Sequence, residues 1–165
     1  MKIRFAKKRD IRDLGKLHHQ CWMETYDSLL KPDYLRKLSV EKSIAMMEAV
    51  PLNNVLVVET ESGLVGFSCF DGSRDDDFKG GEIIAMYLLQ KAQGFGYGRR
   101  LLNRTEEALA KRNHKDIMLW VLETNRHAIG FYEAMGFEKA GFKKPFAIAL
   151  DDAKQLRMVK HIEQT

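Results

Sequence analysis

Gln93-Gly94-Phe95-Gly96-Tyr97-Gly98-Arg99-Arg100 has the residue types and spacing for one piece of chemistry, the holding of phosphate. It follows the apolar run Ile83-Ile84-Ala85-Met86-Tyr87-Leu88-Leu89 and precedes Leu101-Leu102 with a helical pattern beyond. A strand, a glycine-rich turn and a helix N-terminus in that order gather unpaired N–H groups and the positive end of the helix dipole at one point. The glycines let the backbone approach an anion closely. Arg99 and Arg100 add formal positive charge there. The same stretch also reads as a tight strand-to-helix connection carrying two solvated arginines. Two other phosphate motifs fit less well. A P-loop would close on Gly-Lys-[Ser/Thr], and a dinucleotide fingerprint starting at Gly94 would need a glycine at 99 and an N-terminal βαβ unit.

The elements that must position this turn are readable in order. Lys2 to Ala6 alternates as a first strand, and Asp10 is placed to cap the helix that follows. Ile11, Leu14, Leu17, His18, Cys21 and Trp22 recur at helical spacing, with Gly15 inside at a cost of about 1 kcal/mol. Pro32 opens a second helix, expected to run to Ala49 and to stop at Pro51. Val55–Glu59 and Leu64–Phe70 pair as a hairpin around Glu61-Ser62-Gly63. Asp71 to Lys79 reads as an exposed acidic loop, its Asp75-Asp76-Asp77 a solvated run or one that could attract a cationic amine. A strand from Glu82, the glycine turn and a helix from about Gly96 to Arg112 come next. Ile117–Val121 is a short buried strand, and Asn125 to Met135 a helix closed by Gly136. Phe137–Ala149 and Gln155–Ile162 are two last strands joined around Asp151-Asp152. The order β-α-α-β-β-β-α-β-α-β-β makes a mixed α/β (α+β type) layer, with about four helices covering a largely antiparallel sheet of about seven strands.

Composition narrows the class further. The 165 residues fit a single domain, 1–165, with 45% hydrophobic and 30% charged residues. No apolar run approaches the ~20 residues of a membrane helix, and the start lacks a secretory signal, so the expected location is the cytoplasm. A net charge of +4 and a pI near 9.0 suit an anionic small ligand. A nucleic-acid groove would want a denser basic face interleaved with aromatics. Cys21 and Cys69 have no metal-ligand spacing and read as reduced and buried, and no metal site is expected. Of His18 and His19, one is expected to face the core and the other solvent.

A second segment has to be read beside the glycine turn: Leu119 to Phe137, containing Asn125, Ala128-Ile129, Phe131-Tyr132 and Gly136-Phe137. With Gln93, Gly96 and Gly98, this resembles the GNAT superfamily of acetyl-CoA-dependent N-acetyltransferases. The first segment matches its [Gln/Arg]-x-x-Gly-x-[Gly/Ala] signature, and the second its Asn…Ala-Ile…Phe-Tyr…Gly-Phe signature. The resemblance implies the GNAT fold and direct acetyl transfer from acetyl-CoA to a primary amine of a small molecule or peptide. The polyamine-acetyltransferase-like branch is included. The competing reading is a CoA-binding module that has lost catalysis and acts through a partner.

The resemblance also implies roles. Gln93, Gly94, Phe95, Gly96, Tyr97, Gly98 and Arg99 form the turn that holds the CoA pyrophosphate, mostly by backbone N–H groups. Met86, Tyr87 and Leu88 offer backbone to the pantetheine arm and to the thioester oxygen. Asn125 contacts the arm, caps its helix, or does both. Tyr132 matches the tyrosine that protonates the departing thiolate. Taking a proton from an alkyl ammonium at pH 7 costs roughly 4–5 kcal/mol unless a base accepts it. Some members carry a glutamate where this chain has Trp120. Others carry one fourteen residues before the first motif glycine, the place of Glu82, which would act directly or through water. Trp22, Glu24, Tyr26, Asp27 and Tyr34 fall on the acceptor side. Neither cysteine lies in a segment expected near the thioester, and a homodimer is left open.

Overall fold

The computed structural model describes residues 1–162. One seven-stranded sheet carries the chain, built from β1 (Lys2–Phe5), β2 (Val55–Thr60), β3 (Gly63–Gly72), β4 (Gly81–Leu88), β5 (Asp116–Leu122), β6 (Glu138–Pro145) and β7 (Lys154–His161). Its order is β1-β2-β3-β4-β5-β7-β6. Every neighbouring pair is antiparallel except β4–β5. That one parallel pair needs a crossover, which the glycine turn and α4 (Tyr97–Lys111) supply. The described residues form five α-helices: α1 (Ile11–Tyr26), α2 (Pro32–Arg36), α3 (Val40–Glu48), α4 and α5 (Arg126–Ala134).

Helix α4 buries Leu101, Leu102, Ala108 and Leu109 against one face of the sheet. Buried Thr105 lies in the same stripe. Its hydroxyl donates to the Leu101 carbonyl, so the Ser68 hydroxyl of β3 is the donor in the 2.7 Å bond between them. Both hydroxyls are thereby satisfied inside the core. Helix α1 covers the opposite face with Leu14, Leu17 and Cys21. A Cβ on Gly15 would stand 2.3–2.7 Å from Ile44 of α3. The glycine that weakens α1 as a helix is what lets α3 lie directly on it.

Four expectations are corrected. The second helix is two, because Ser39 caps α3 by accepting from the Lys42 N–H, a break that Pro32 and Pro51 alone do not signal. Asp10 makes no cap bond to α1. Its carboxylate accepts from the Lys7 N–H and from both Nη atoms of Arg4, and the Arg4 bond holds it below the usual carboxylate range. The strand from Phe137 stops at Pro145, since the chain then turns so that Ala149 can bridge to Leu30. The segment 71–79 is not simply solvated: β3 runs on to Gly72, and Asp75 and Asp77 beyond it are bonded to the sheet.

Candidate active site

Strands β4 and β5 pair only from Gly81–Ile117 to Ile83–Leu119. Beyond Ile83 the two diverge, while β4 stays paired with β3 through Leu88. The β5-facing backbone of β4 from Ile84 to Leu88 is thus left without a strand partner, and a V-shaped opening forms in the middle of the sheet. An extended ligand can add to such an edge as a strand does.

One arm of the opening leads to a groove whose floor is Met86, Tyr87 and Leu88. Helix α4 contributes Gly98 and Leu101 to it, and α5 contributes Ala128, Phe131 and Tyr132. At its end lies the glycine turn. Gly94 and Gly96 have φ +86° and +80°, and a Cβ on either would meet no atom within 4 Å. The left-handed backbone requires glycine there, and nothing in the protein fills the space in front of it. Gly96 is also the N-cap of α4 and makes no side-chain cap bond, so the helix end is open to an anion. Arg99 and Arg100 are exposed. Gln93 faces the groove and donates its side-chain amide to the Leu88 carbonyl at 3.1 Å. Asn125 caps α5, its Oδ1 accepting from the Ala128 N–H at 3.2 Å, and it lines the groove as well. Phe95 is 67% exposed beside Tyr97.

Tyr132 belongs both to this groove and to the V-shaped opening. Burial, with the nearby Tyr26 phenol adding to it, raises its pKa, so it holds its proton at neutral pH. No hydrogen bond among the described residues engages its hydroxyl. Tyr87 differs: its hydroxyl shares a 2.7 Å bond with Tyr26, the last residue of α1. Burial raises both of those phenols too. Tyr26, Tyr87 and Tyr132 therefore line one opening as three neutral phenols, and the one on α5 has its proton free to give.

Trp120, which lines the opening, is held by side chains that sit far apart in the chain. Glu82 pairs with Met118 across the ladder, and Trp120 with Arg157. Side chains alternate along β5, so Glu82, Trp120 and Arg157 share a face. Glu82 is buried, with its side chain 2% exposed, and takes Nε and Nη2 of Arg74 at 3.1 and 2.6 Å together with the Arg74 N–H. It stands two residues before the strands part and does not line the groove itself. Asp75 Oδ2 accepts from Trp120 Nε1 at 2.8 Å and from Arg157 Nη2 at 3.0 Å. Asp77 takes the Arg157 guanidinium with both oxygens, at 2.8 and 3.0 Å. Burial tends to raise the Asp75 pKa, but the Trp120 and Arg157 bonds outweigh it and the net shift is downward. The acidic loop is thus laid onto the sheet by Arg157, a residue that the sequence reading did not single out.

Thr25 of α1 and His127 of α5 also line the groove and were missed. His127 lies in the first turn of α5 beside its cap, and that placement was the available signal. His18 faces inward, hydrogen-bonded to Ser43 at 2.8 Å, while His19 is half-exposed. The Cys21 and Cys69 thiols are free, buried and pushed up to about 12 by burial. Among the described residues no group of three or more histidine, cysteine or acidic side chains could hold a metal, and no helix is long and apolar enough to cross a membrane.

The acetyltransferase (GNAT) family model matches residues 12–137. The chain is 34% identical over 139 residues to the uncharacterized N-acetyltransferase YuaI of Bacillus subtilis, covering 83% of this chain and 80% of that one. Its fold is similar to that of yncA from Salmonella typhimurium, solved with acetyl-CoA (TM-score 0.75, 21% identity, 100% and 95% covered). It is also similar to the paiA N-acetyltransferase of Thermoplasma acidophilum, solved with coenzyme A (TM-score 0.74, 21% identity, 98% of each chain covered). This chain belongs to the GNAT family of N-acetyltransferases, enzymes whose acetyl donor is acetyl-CoA.

Proposed function

We propose that this protein transfers an acetyl group directly to a primary amine of a small molecule or peptide, with Tyr132 as the general acid. The observation that carries the reading is the Tyr132 hydroxyl. It is neutral, free of hydrogen-bond partners among the described residues and set where the donor groove meets the opening between β4 and β5. Acetyl-CoA, when bound, supplies the activated acetyl as a thioester. The N–H groups from Gly94 to Arg99 would hold its pyrophosphate, and the unpaired edge of Met86, Tyr87 and Leu88 would align its arm and polarise the carbonyl. Asn125 would contact the arm while it caps α5. The amine would enter from the side of Tyr26 and Trp120. Its excess proton would pass through water toward Glu82, and Tyr132 would protonate the departing sulfur. Both thiols are held neutral by burial and neither lines the groove, which supports transfer without an acyl-cysteine.

Release of free thiol from acetyl-CoA in the presence of amines, peptide N-termini and lysine peptides tests the reading. Tyr132→Phe should retain affinity for CoA and lose about 10²–10³-fold in kcat. A Tyr132→Phe protein with unchanged turnover, or a wild-type protein that no amine stimulates, overturns it.

A further inference from the structure

We infer that Lys144 sets the charge class of the acceptor: the cleft favours primary amines carrying an anionic group away from the amine over diamines and polyamines. This rests on the acetyl-transfer reading and adds the acceptor's chemistry to it. Gln155 of β7 pairs with Leu122 of β5 on one side and with Lys144 of β6 on the other. Partners across a ladder share a face, and Leu122 and Gln155 both line the opening between β4 and β5. Lys144 therefore rises on the cleft side. Its ammonium stands 4.2 Å from the centroid of the Trp120 ring, and Trp120 lines the same opening.

An aromatic face is where a cationic acceptor would dock. Here the protein's own cation occupies it. Three carboxylates beside it are engaged, Glu82 by Arg74, Asp75 by Trp120 and Arg157, and Asp77 by Arg157. Lys143, the preceding residue, is paired with Glu123. Lys144 forms no ion pair among the described residues. A distal ammonium on the acceptor would find Glu82, Asp75 and Asp77 already bonded, and it would be repelled by Lys144. A distal carboxylate would meet the Lys144 ammonium.

Three amines of equal chain length separate the cases: 4-aminobutyrate, butylamine and 1,4-diaminobutane. In thiol-release assays, kcat/KM for 4-aminobutyrate should exceed that for 1,4-diaminobutane by about tenfold. Lys144→Arg should keep the ranking and serve as the folding control. Lys144→Met should narrow the ratio to about twofold, and Lys144→Glu should reverse it. A wild-type preference for 1,4-diaminobutane, or an unchanged ratio in Lys144→Glu, overturns the inference. Calorimetric binding of the same three amines to the CoA-loaded protein keeps the two readings apart. Charge-ranked binding without thiol release sinks the transfer reading and keeps this one, whereas release without charge ranking does the reverse. No binding of any of the three at millimolar concentration also overturns the inference.

Discussion

The two walls of the cleft are built from different parts of the polypeptide. The wall proposed for the donor is backbone: two left-handed glycines, an open helix N-terminus and a strand edge released where β4 leaves β5. Its pieces lie within a short run of chain, and only the identity of a few small residues matters to it. The wall proposed for the acceptor is side chain: Trp120, Arg157, Asp75, Glu82, Tyr26 and Lys144, brought from four strands, a loop and a helix by tertiary packing. A backbone site is local and tolerates drift in its neighbours. A side-chain site is non-local, and each member holds its position through another member.

The sharpest break in this comparison is Gly96→Val. A β-branched residue is strained at φ +80°, and its side chain would fill the space left open in front of α4. The Kd for CoA should rise about 10²-fold, or roughly 2.7 kcal/mol. At saturating acetyl-CoA the KM for the amine should stay near wild type. If amine KM rises in parallel, the two walls are not separable in the way described.

That asymmetry also explains what could be read in advance. The glycine turn, the strand before it and the Asn125–Tyr132 helix are each contiguous, so periodicity and short motifs reached them. The parting of β4 from β5 is a property of register, which no single segment carries. Arg157 gave no signal because its meaning comes from Asp75 and Asp77, some eighty positions away. The charge run 75–77 looked solvated for the same reason, since its partners belong to the last strand. Ser39 is a single cap inside a segment whose two prolines, Pro32 and Pro51, bracket what reads as one helix. Gly15 was counted as a helix defect when its value lies in the close approach of α3.

The helices over the acceptor side give a second contrast, visible as pH dependence. His18 is held near a pKa of about 4, chiefly by burial, with the neighbouring His19 adding to it, against 6.5 in the unfolded chain. Its folded pKa is depressed, so between these values the unfolded state binds the extra proton. Stability is full above about 6.5 and falls as pH drops toward 4. The loss is at most about 3 kcal/mol, and nearer 2 because the ring is only partly buried. Chemical denaturation across pH 4–7 should show this slope, and His18→Gln should flatten it. CoA affinity measured over the same range should not follow it while the protein remains folded.

Glu82→Gln asks whether the acceptor wall moves protons or only holds a shape. As an acceptor working through water, Glu82 should lose about tenfold in kcat/KM at neutral pH when replaced by Gln. The deficit should shrink at high pH, where the free amine is more abundant. A deficit that is constant with pH would mean that Glu82 serves to anchor the β3–β4 loop through Arg74.

The smallest effect is expected at the Tyr26–Tyr87 bond, and it is the most specific to a side-chain wall. Tyr87 is half-buried and the described partner of its hydroxyl is Tyr26. Tyr26→Phe leaves that hydroxyl unpaired, which should cost about 1 kcal/mol of stability, and Tyr87→Phe should cost a similar amount. The double replacement removes both polar groups together and should lie within about 0.5 kcal/mol of wild type. The same cycle read on amine KM should show coupling, because both rings line the opening, while CoA affinity should show little. Additive single effects would mean that the bond does not join α1 to β4. The acceptor wall would then owe its shape to packing of the Trp22, Tyr26 and Tyr87 rings alone.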